Sequence, residues 1–172
     1  MSPLLMMTEK LQVSDLVPLI RFNLPVVRQE DTLDVLLNTA ASQPNQEAVY
    51  VLDTEDRLVG QVPVSHILAY QYPLDALAAS GDYFPLTEVP HDGSATVKML
   101  MMDSTVQLGE NDSLGQAIRL LLAQRITEIP IVTEQGRLLG ILPGRRLLEL
   151  AQLSSQSSHL FQVLAQCPER NS

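Results

Sequence analysis

Tryptophan is absent, and aromatic side chains make up only 4% of the 172 residues, so any core this chain builds is aliphatic. Few rings and no basic cluster argue against a nucleic-acid reader, which stacks bases on aromatics along a positive surface. The net charge of −9 adds anionic membranes to the poor partners. A single cysteine, Cys167, can form neither an intramolecular disulfide nor a metal cage by itself, which fits a reducing cytosol. The only apolar patch near the start, residues 3–7, lacks a basic lead-in and is too short for a signal-peptide core or a membrane span. The expectation is a soluble, cytoplasmic protein with no membrane insertion. Catalytic motifs are missing as well: there is no G-x-S-x-G, P-loop or G-x-G-x-x-G. His66, His91 and His159 stand far apart, and none has metal-ligand spacing to another histidine or to Cys167. No enzyme, no metal and no required cofactor are expected.

Apolar residues account for 45% of the chain, enough for one compact globular unit or two small ones. Charge is uneven. Residues 1–104 hold 5 Lys/Arg against 14 Asp/Glu, which is the whole excess of acid. Residues 105–150 balance Arg119, Arg125, Arg137, Arg145 and Arg146 against five acids, so an anion meets less repulsion there.

The stretch 113–150 carries the clearest pattern. Leu114, Ala117, Ile118, Leu121 and Leu122 recur at helical spacing behind Asp112 and Ser113, a capping pair. The apolar runs 129–132 and 138–142 flank Thr133-Glu134-Gln135-Gly136, a hairpin signal. Pro143 then suits a first helical position, where its missing N–H is not needed. The same order occurs earlier. Asp31-Thr32-Leu33 matches Asp112-Ser113-Leu114 at an offset of 81; Arg57-Leu58-Val59-Gly60 matches Arg137-Leu138-Leu139-Gly140 at 80, and Pro63 matches Pro143. The chain is a tandem duplication.

Helix–strand–turn–strand–helix, with Ile129-Pro130-Ile131-Val132 opening a strand and Gly136-Arg137-Leu138-Leu139-Gly140-Ile141-Leu142 ending the next, resembles a CBS (cystathionine-β-synthase) domain. Two in tandem resemble a Bateman module, and the resemblance covers residues 13–150. It implies an α/β (α+β) fold of two pseudo-symmetric CBS repeats, each a small sheet with helices packed on one side. It also implies adenine-nucleotide binding, regulation of a partner protein, and a homodimer packed through helices. The division reads as a leader 1–12, a first repeat 13–70, a connector 71–94, a second repeat 95–150 and a tail 151–172.

In order along the chain, residues 13–17 open a short helix capped by Ser14 or Asp15, and 25–28 form a short strand. Residues 32–41 make an amphipathic helix with Leu33, Leu36, Leu37, Ala40 and Ala41 inward. The runs 47–53 and 58–62 form a hairpin, and 63–69 begin a closing helix. In the connector, 73–80 make a brief helix and 84–93 a loop. Residues 95–102 make a short helix in the place that 13–17 holds before the first repeat, and 105–108 an entry strand. Residues 154–158 read as a polar hinge and 159–166 as a last turn or two of helix.

In CBS domains the second hairpin strand runs through Gly-h-x-Thr/Ser-x-x-Asp into the closing helix, with hydroxyl and helix-start N–H groups on phosphate and the Asp on ribose. Both repeats depart from this. Pro143 and Pro63 replace the hydroxyl residue, and Arg146 and His66 replace the Asp. What the resemblance leaves as a binding set is Val106, Leu108, Ile129 and Pro130 for an apolar slot, with Gly140, Leu142 and Gly144 shaping it. Arg145 and Arg146 would supply cations to the phosphate of AMP, ADP or ATP or to a related anion. Arg145 and Arg146 equally suit a solvated helix face that pairs with Glu149. Two other functions stay open: a dimerisation or interaction scaffold without nucleotide, and a Mg²⁺-responsive module built on Asp53, Glu55 and Asp56, as in the cytosolic CBS pairs of magnesium channels. Met99, Met101 and Met102 read as core or dimer contacts rather than a soft-metal site.

Overall fold

The computed structural model describes residues 9–72, 89–103 and 106–156, with side chains to 152. Among the described residues seven strands follow in order: β1 (Val26–Arg28), β2 (Ala48–Leu52), β3 (Leu58–Pro63), β4 (Met102–Asp103), β5 (Leu108–Gly109), β6 (Glu128–Val132) and β7 (Leu138–Pro143). The described residues include the α-helices α1 (Leu33–Ser42), α2 (Val64–Gln71), α3 (Val97–Leu100), α4 (Leu114–Gln124) and α5 (Gly144–Gln156), with a 3-10 helix at Val13–Leu19. Among the described residues no helix is long and apolar enough to cross a membrane. Contacts divide the chain into a continuous unit, 24–105, and a split unit made of 1–23 with 106–172.

In the continuous unit the sheet order is β1-β2-β3-β4. β1 runs parallel to β2, and the other two pairings are antiparallel. β2 is an unbroken apolar run because both its faces are buried, whereas β3 alternates. Val49, Val51 and Val62 point to the face that meets Leu33 and Leu36 of α1, Ile67 of α2, and Val97 and Leu100 of α3. Ala41, expected inward on α1, is exposed, because the buried stripe there is only as wide as Leu33 and Leu36 with Leu37 and Ala40 at its margins.

The split unit repeats the plan with sheet order β5-β6-β7. Leu108, Ile129, Ile131 and Leu142 meet Leu114, Ala117 and Leu121 of α4 and Val13 and Leu16 of the 3-10 helix. Leu122, expected on the inner face of α4, is 74% exposed, one position beyond the stripe that Leu114, Ala117 and Leu121 define. Arg21 exchanges both backbone hydrogen bonds with Ile141, at 2.9 and 3.0 Å, adding a one-residue fourth strand beside β7.

The two entry helices dock alike. Val13 N–H donates to Asp112 O (2.8 Å) and Ser14 N–H to Glu110 O (2.9 Å). In the continuous unit Val97 N–H donates to Asp31 O (2.9 Å) and Lys98 N–H to Gln29 O (3.0 Å). The helix preceding each sequence repeat is thus docked in the unit built on the other repeat's hairpin, and the contact units are cut at different places from the repeats.

Several local expectations shift. The first helix is 3-10, and its cap is Gln12, whose N–H donates to the Asp15 carboxylate at 3.0 Å, rather than Ser14 or Asp15. Pro63 and Pro143 end their strands opposite Ala48 and Glu128 instead of opening the helices; each sits one residue earlier, where a missing N–H is equally harmless. The entry strand is Leu108–Gly109, and Thr105 lies outside the described residues. α3 is confined to Val97–Leu100. α5 runs through 154–156, where a hinge is expected, since serine and glutamine do not break a helix already under way. The expectations for 73–80, 84–88 and 157–172 fall outside the described residues.

Candidate functional site

All nine residues singled out from the sequence lie in the split unit, at β5, β6, β7 and the start of α5, except that Val106 stands two residues ahead of β5. Leu108 pairs with Ile131, Ile129 with Leu142, Pro130 with Ile141, and Gly140 with Ile131. Leu108, Ile129 and Leu142 are fully buried and belong to the core under α4. Their side chains therefore build the sheet's inner face, and what they offer outward is backbone. Pro130 is buried on the other face, beside Ile141, and Val106 is half-buried at the margin of the core.

The two glycines are fixed by close approach. A Cβ on Gly140 would stand 2.5 Å from Ile20 Cγ2 and 3.0 Å from Arg21 O, so the added strand reaches β7 only over a glycine. Gly60 serves the continuous unit likewise: its Cβ would stand 2.6 Å from Met102 O. A Cβ on Gly144 would sit 3.1 Å from Thr127 O, to which the Gly144 N–H donates at 2.8 Å. The first N–H of α5 is therefore spent inside the fold, as is that of α2, which goes to Glu47 O at 2.9 Å. Arg145 and Arg146 are exposed, and Arg146 pairs with Glu149 at 2.8 Å. At the position matching Arg146 in the first repeat, His66 Nδ1 lies 3.3 Å from Leu100 O.

One polar pair at this end of the sheet has no counterpart among the residues singled out from the sequence. The Arg21 guanidinium donates to Glu128 Oε2 at 2.9 Å, with the Glu128 side chain only 13% exposed. Glu128 stands directly across from Pro143 and two residues before Pro130. The partners are 107 residues apart, and neither falls on a periodic or motif position. A second unforeseen contact lies in the continuous unit, where Tyr70 and His91 stack with centroids 4.3 Å apart while Tyr70 Oη donates to Pro90 O at 2.9 Å.

The acidic turn of the first hairpin carries its own cations. Asp53 accepts from the Arg57 N–H (2.9 Å), the Glu55 N–H (2.8 Å) and Arg57 Nε (2.8 Å). The Arg57 backbone N–H is the main influence that holds the Asp53 carboxyl below its usual range, helped by the Arg57 guanidinium and the Glu55 N–H against some desolvation. Arg57 also pairs with Glu55 at 3.1 Å, and Arg28 pairs with Asp56 at 2.6 Å. Among the described residues no group of three or more His, Cys, Asp or Glu is arranged to hold a metal ion. Met101 packs on the core of the continuous unit, while Met99 and Met102 are largely exposed.

Comparison with known proteins follows the same lines. The family model of the CBS domain matches residues 97–152. A solved structure of CBSX2 in complex with AMP is 25% identical, with TM-score 0.61, over 84% of this chain and 98% of that one. A CBS domain-containing protein from Thermotoga maritima is 23% identical, with TM-score 0.62, over 86% and 97% of the two chains. The cytosolic domain of the Mg²⁺ channel MgtE in complex with ATP is 21% identical, with TM-score 0.57, over 77% of this chain and 46% of that one. Among curated proteins none matches the chain. Residues 97–152 are similar to the CBS domain, and the chain has the mixed α/β fold seen in CBS domain pairs.

Proposed function

We propose that this chain is a non-catalytic regulatory module that binds an adenine nucleotide or a related anion and alters the behaviour of a partner protein. The observation that carries the reading is the likeness to a CBS pair whose structure holds AMP, together with the family match over 97–152. The candidate binding set is Val106, Leu108, Ile129, Pro130, Gly140, Leu142, Gly144, Arg145 and Arg146. The duplicated segments are taken as 13–70 and 95–150, joined by 71–94 and flanked by 1–12 and 151–172. A homodimer formed through the helices in the cytoplasm completes the proposal. Regulation requires that the ligand bind two arrangements of the protein unequally, since a ligand with equal affinity for both shifts nothing. The test is mass spectrometry of small molecules released when the purified protein is denatured. An adenine nucleotide at a stoichiometric level supports the reading; absence of any such molecule, together with failure to take up added nucleotide, overturns it.

A second reading has specific support. Proline in place of both hydroxyl residues, and the first N–H of α5 and of α2 already donated to Thr127 and Glu47, favour an interaction scaffold that needs no nucleotide. A Mg²⁺-responsive role for Asp53, Glu55 and Asp56 draws less support, because Arg57 and Arg28 already pair with all three carboxylates and offset most of the charge that a divalent ion would meet.

A further inference from the structure

Residues 11–21 form a strap fixed to the rest of the split unit at three places. Leu11 O accepts from the Leu114 N–H (2.8 Å), Val13 and Ser14 donate to Asp112 and Glu110, and Arg21 bridges Ile141. Val13 and Leu16 are fully buried in its core. The duplication supplies a control, because residues 97–103 do the same work in the continuous unit. There the helix is α-helical, and Met102–Asp103 form a two-residue strand on Gly60 and Gln61. In the strap the helix is 3-10, Pro18 lies inside it, and Leu16 leaves helical geometry at φ −97° and ψ 17°. Its strand is a single residue. By register, Arg21 opposite Ile141 corresponds to Met102 opposite Gln61, and Glu128 opposite Pro143 to Ala48 opposite Pro63. The looser of the two attachments is thus the one fastened by charge.

We propose that the 11–21 strap is the moving element of this module, exchanging between the docked arrangement and a released one, with the Arg21–Glu128 pair as its latch. A largely desolvated ion pair brings little net stability over apolar residues, because each ion is stripped of water; when the pair opens, both recover that water. A charged latch therefore opens at lower cost than an apolar one, which suits a contact made to be broken. Release uncovers the Ile141 N–H and carbonyl at the edge of β7 and empties the core places of Val13 and Leu16, so the released arrangement stays the minor one. The docked strap also bears on the candidate binding set. Gly140 lies against Ile20 and Arg21, and Leu108 and Leu142 share a core with Val13 and Leu16. Resting on the nucleotide reading above, a ligand at that set favours the docked arrangement, which alone holds Leu108 and Leu142 in place; this is the unequal affinity that regulation requires.

Amide hydrogen exchange on the full chain, corrected for intrinsic rates, tests this without any variant. The amides of Val13, Ser14, Arg21, Leu114 and Ile141, which the docked strap protects, should exchange together and at least about tenfold faster than their counterparts Val97 and Lys98. Glu128→Ala, which strands the Arg21 charge, should quicken them further by about tenfold or more. Arg21→Met/Glu128→Ala copies the residues of the continuous unit and should hold the strap at least as tightly as the unaltered chain. Strap amides no faster than Val97 and Lys98, or two variants that quicken exchange alike, overturn the latch. AMP, ADP and ATP are then added in turn, with binding followed by calorimetry. A nucleotide that binds should slow exchange at the strap amides and leave Val97 and Lys98 unmoved. Binding with no change at the strap overturns the strap's part in regulation while leaving the nucleotide reading in place. Failure of the folded chain to bind any of the three overturns the nucleotide reading and ligand control of the strap, and the comparison with Val97 and Lys98 still decides the latch.

Discussion

Replacing Gly140 by alanine tests how the split unit is held together. The new methyl group would lie 2.5 Å from Ile20 Cγ2 and 3.0 Å from Arg21 O, both far inside ordinary contact. Relief requires either that Ile20 change rotamer or that the strand at Arg21 lift from Ile141 and forfeit two hydrogen bonds of 2.9 and 3.0 Å. Overpacking of this kind costs about 1–3 kcal/mol. For a chain of this length, that lowers the midpoint of thermal unfolding by roughly 2–12 °C. The matching change Gly60→Ala meets a backbone oxygen, Met102 O, at 2.6 Å, so no side chain can swing away and β4 itself must move. The two sites should differ in rescue. Ile20→Ala removes the methyl that Gly140→Ala strikes, so the double variant should be less destabilised than the sum of the singles, with coupling of at least about 0.5 kcal/mol. The assay is urea unfolding followed by far-ultraviolet circular dichroism across the four-member cycle. Gly140→Ala with unchanged stability, or strictly additive singles, would refute the claim that the 20–22 segment is packed over this glycine.

Asp53 has a depressed folded pKa, so its contribution to stability is present above its unfolded pKa and fades as pH falls through the folded value. The unfolding midpoint of the native chain and that of Asp53→Asn should therefore differ at neutral pH and converge on acidification below the ordinary carboxylate range; parallel curves down to low pH would contradict this. Arg125 ends α4 in the left-handed region, at φ 53° and ψ 38°, where a side chain is strained. Arg125→Gly should raise stability by about 1 kcal/mol, or roughly 2–4 °C in the same thermal assay. Leu142→Ala, at a fully buried position, should cost about 2–5 kcal/mol, whereas Arg145→Ala, on the exposed start of α5, should stay within about 0.5 kcal/mol in denaturant unfolding.

What was legible in the sequence was whatever repeats at a period. Leucine spacing placed α1 and α4, and paired apolar runs around Asp53–Arg57 and Thr133–Arg137 placed both hairpins, which close alike with a 2.9 Å bond from the first residue's N–H to the last residue's carbonyl. The matching residues at offsets of 80 and 81 disclosed the duplication. Harder to see was which hairpin each entry helix joins. Arg21 contributes a single bridged residue and Met102–Asp103 only two, too short for any alternation to register. The Arg21–Glu128 pair was invisible for a related reason: it joins residues 107 apart, one of them on that single-residue strand. Among the binding candidates, the sequence showed that Leu108, Ile129 and Leu142 are apolar but not that their side chains face α4. An apolar residue on a strand reads the same whichever face it takes.

Isothermal titration of the folded protein with AMP, ADP, ATP and S-adenosylmethionine tests the regulatory account most directly. Saturable heat with at least one of them at sub-millimolar concentration is the expected result. Silence with all four at millimolar concentration, with unfolding curves confirming the native state, would contradict it and leave the scaffold reading in its place.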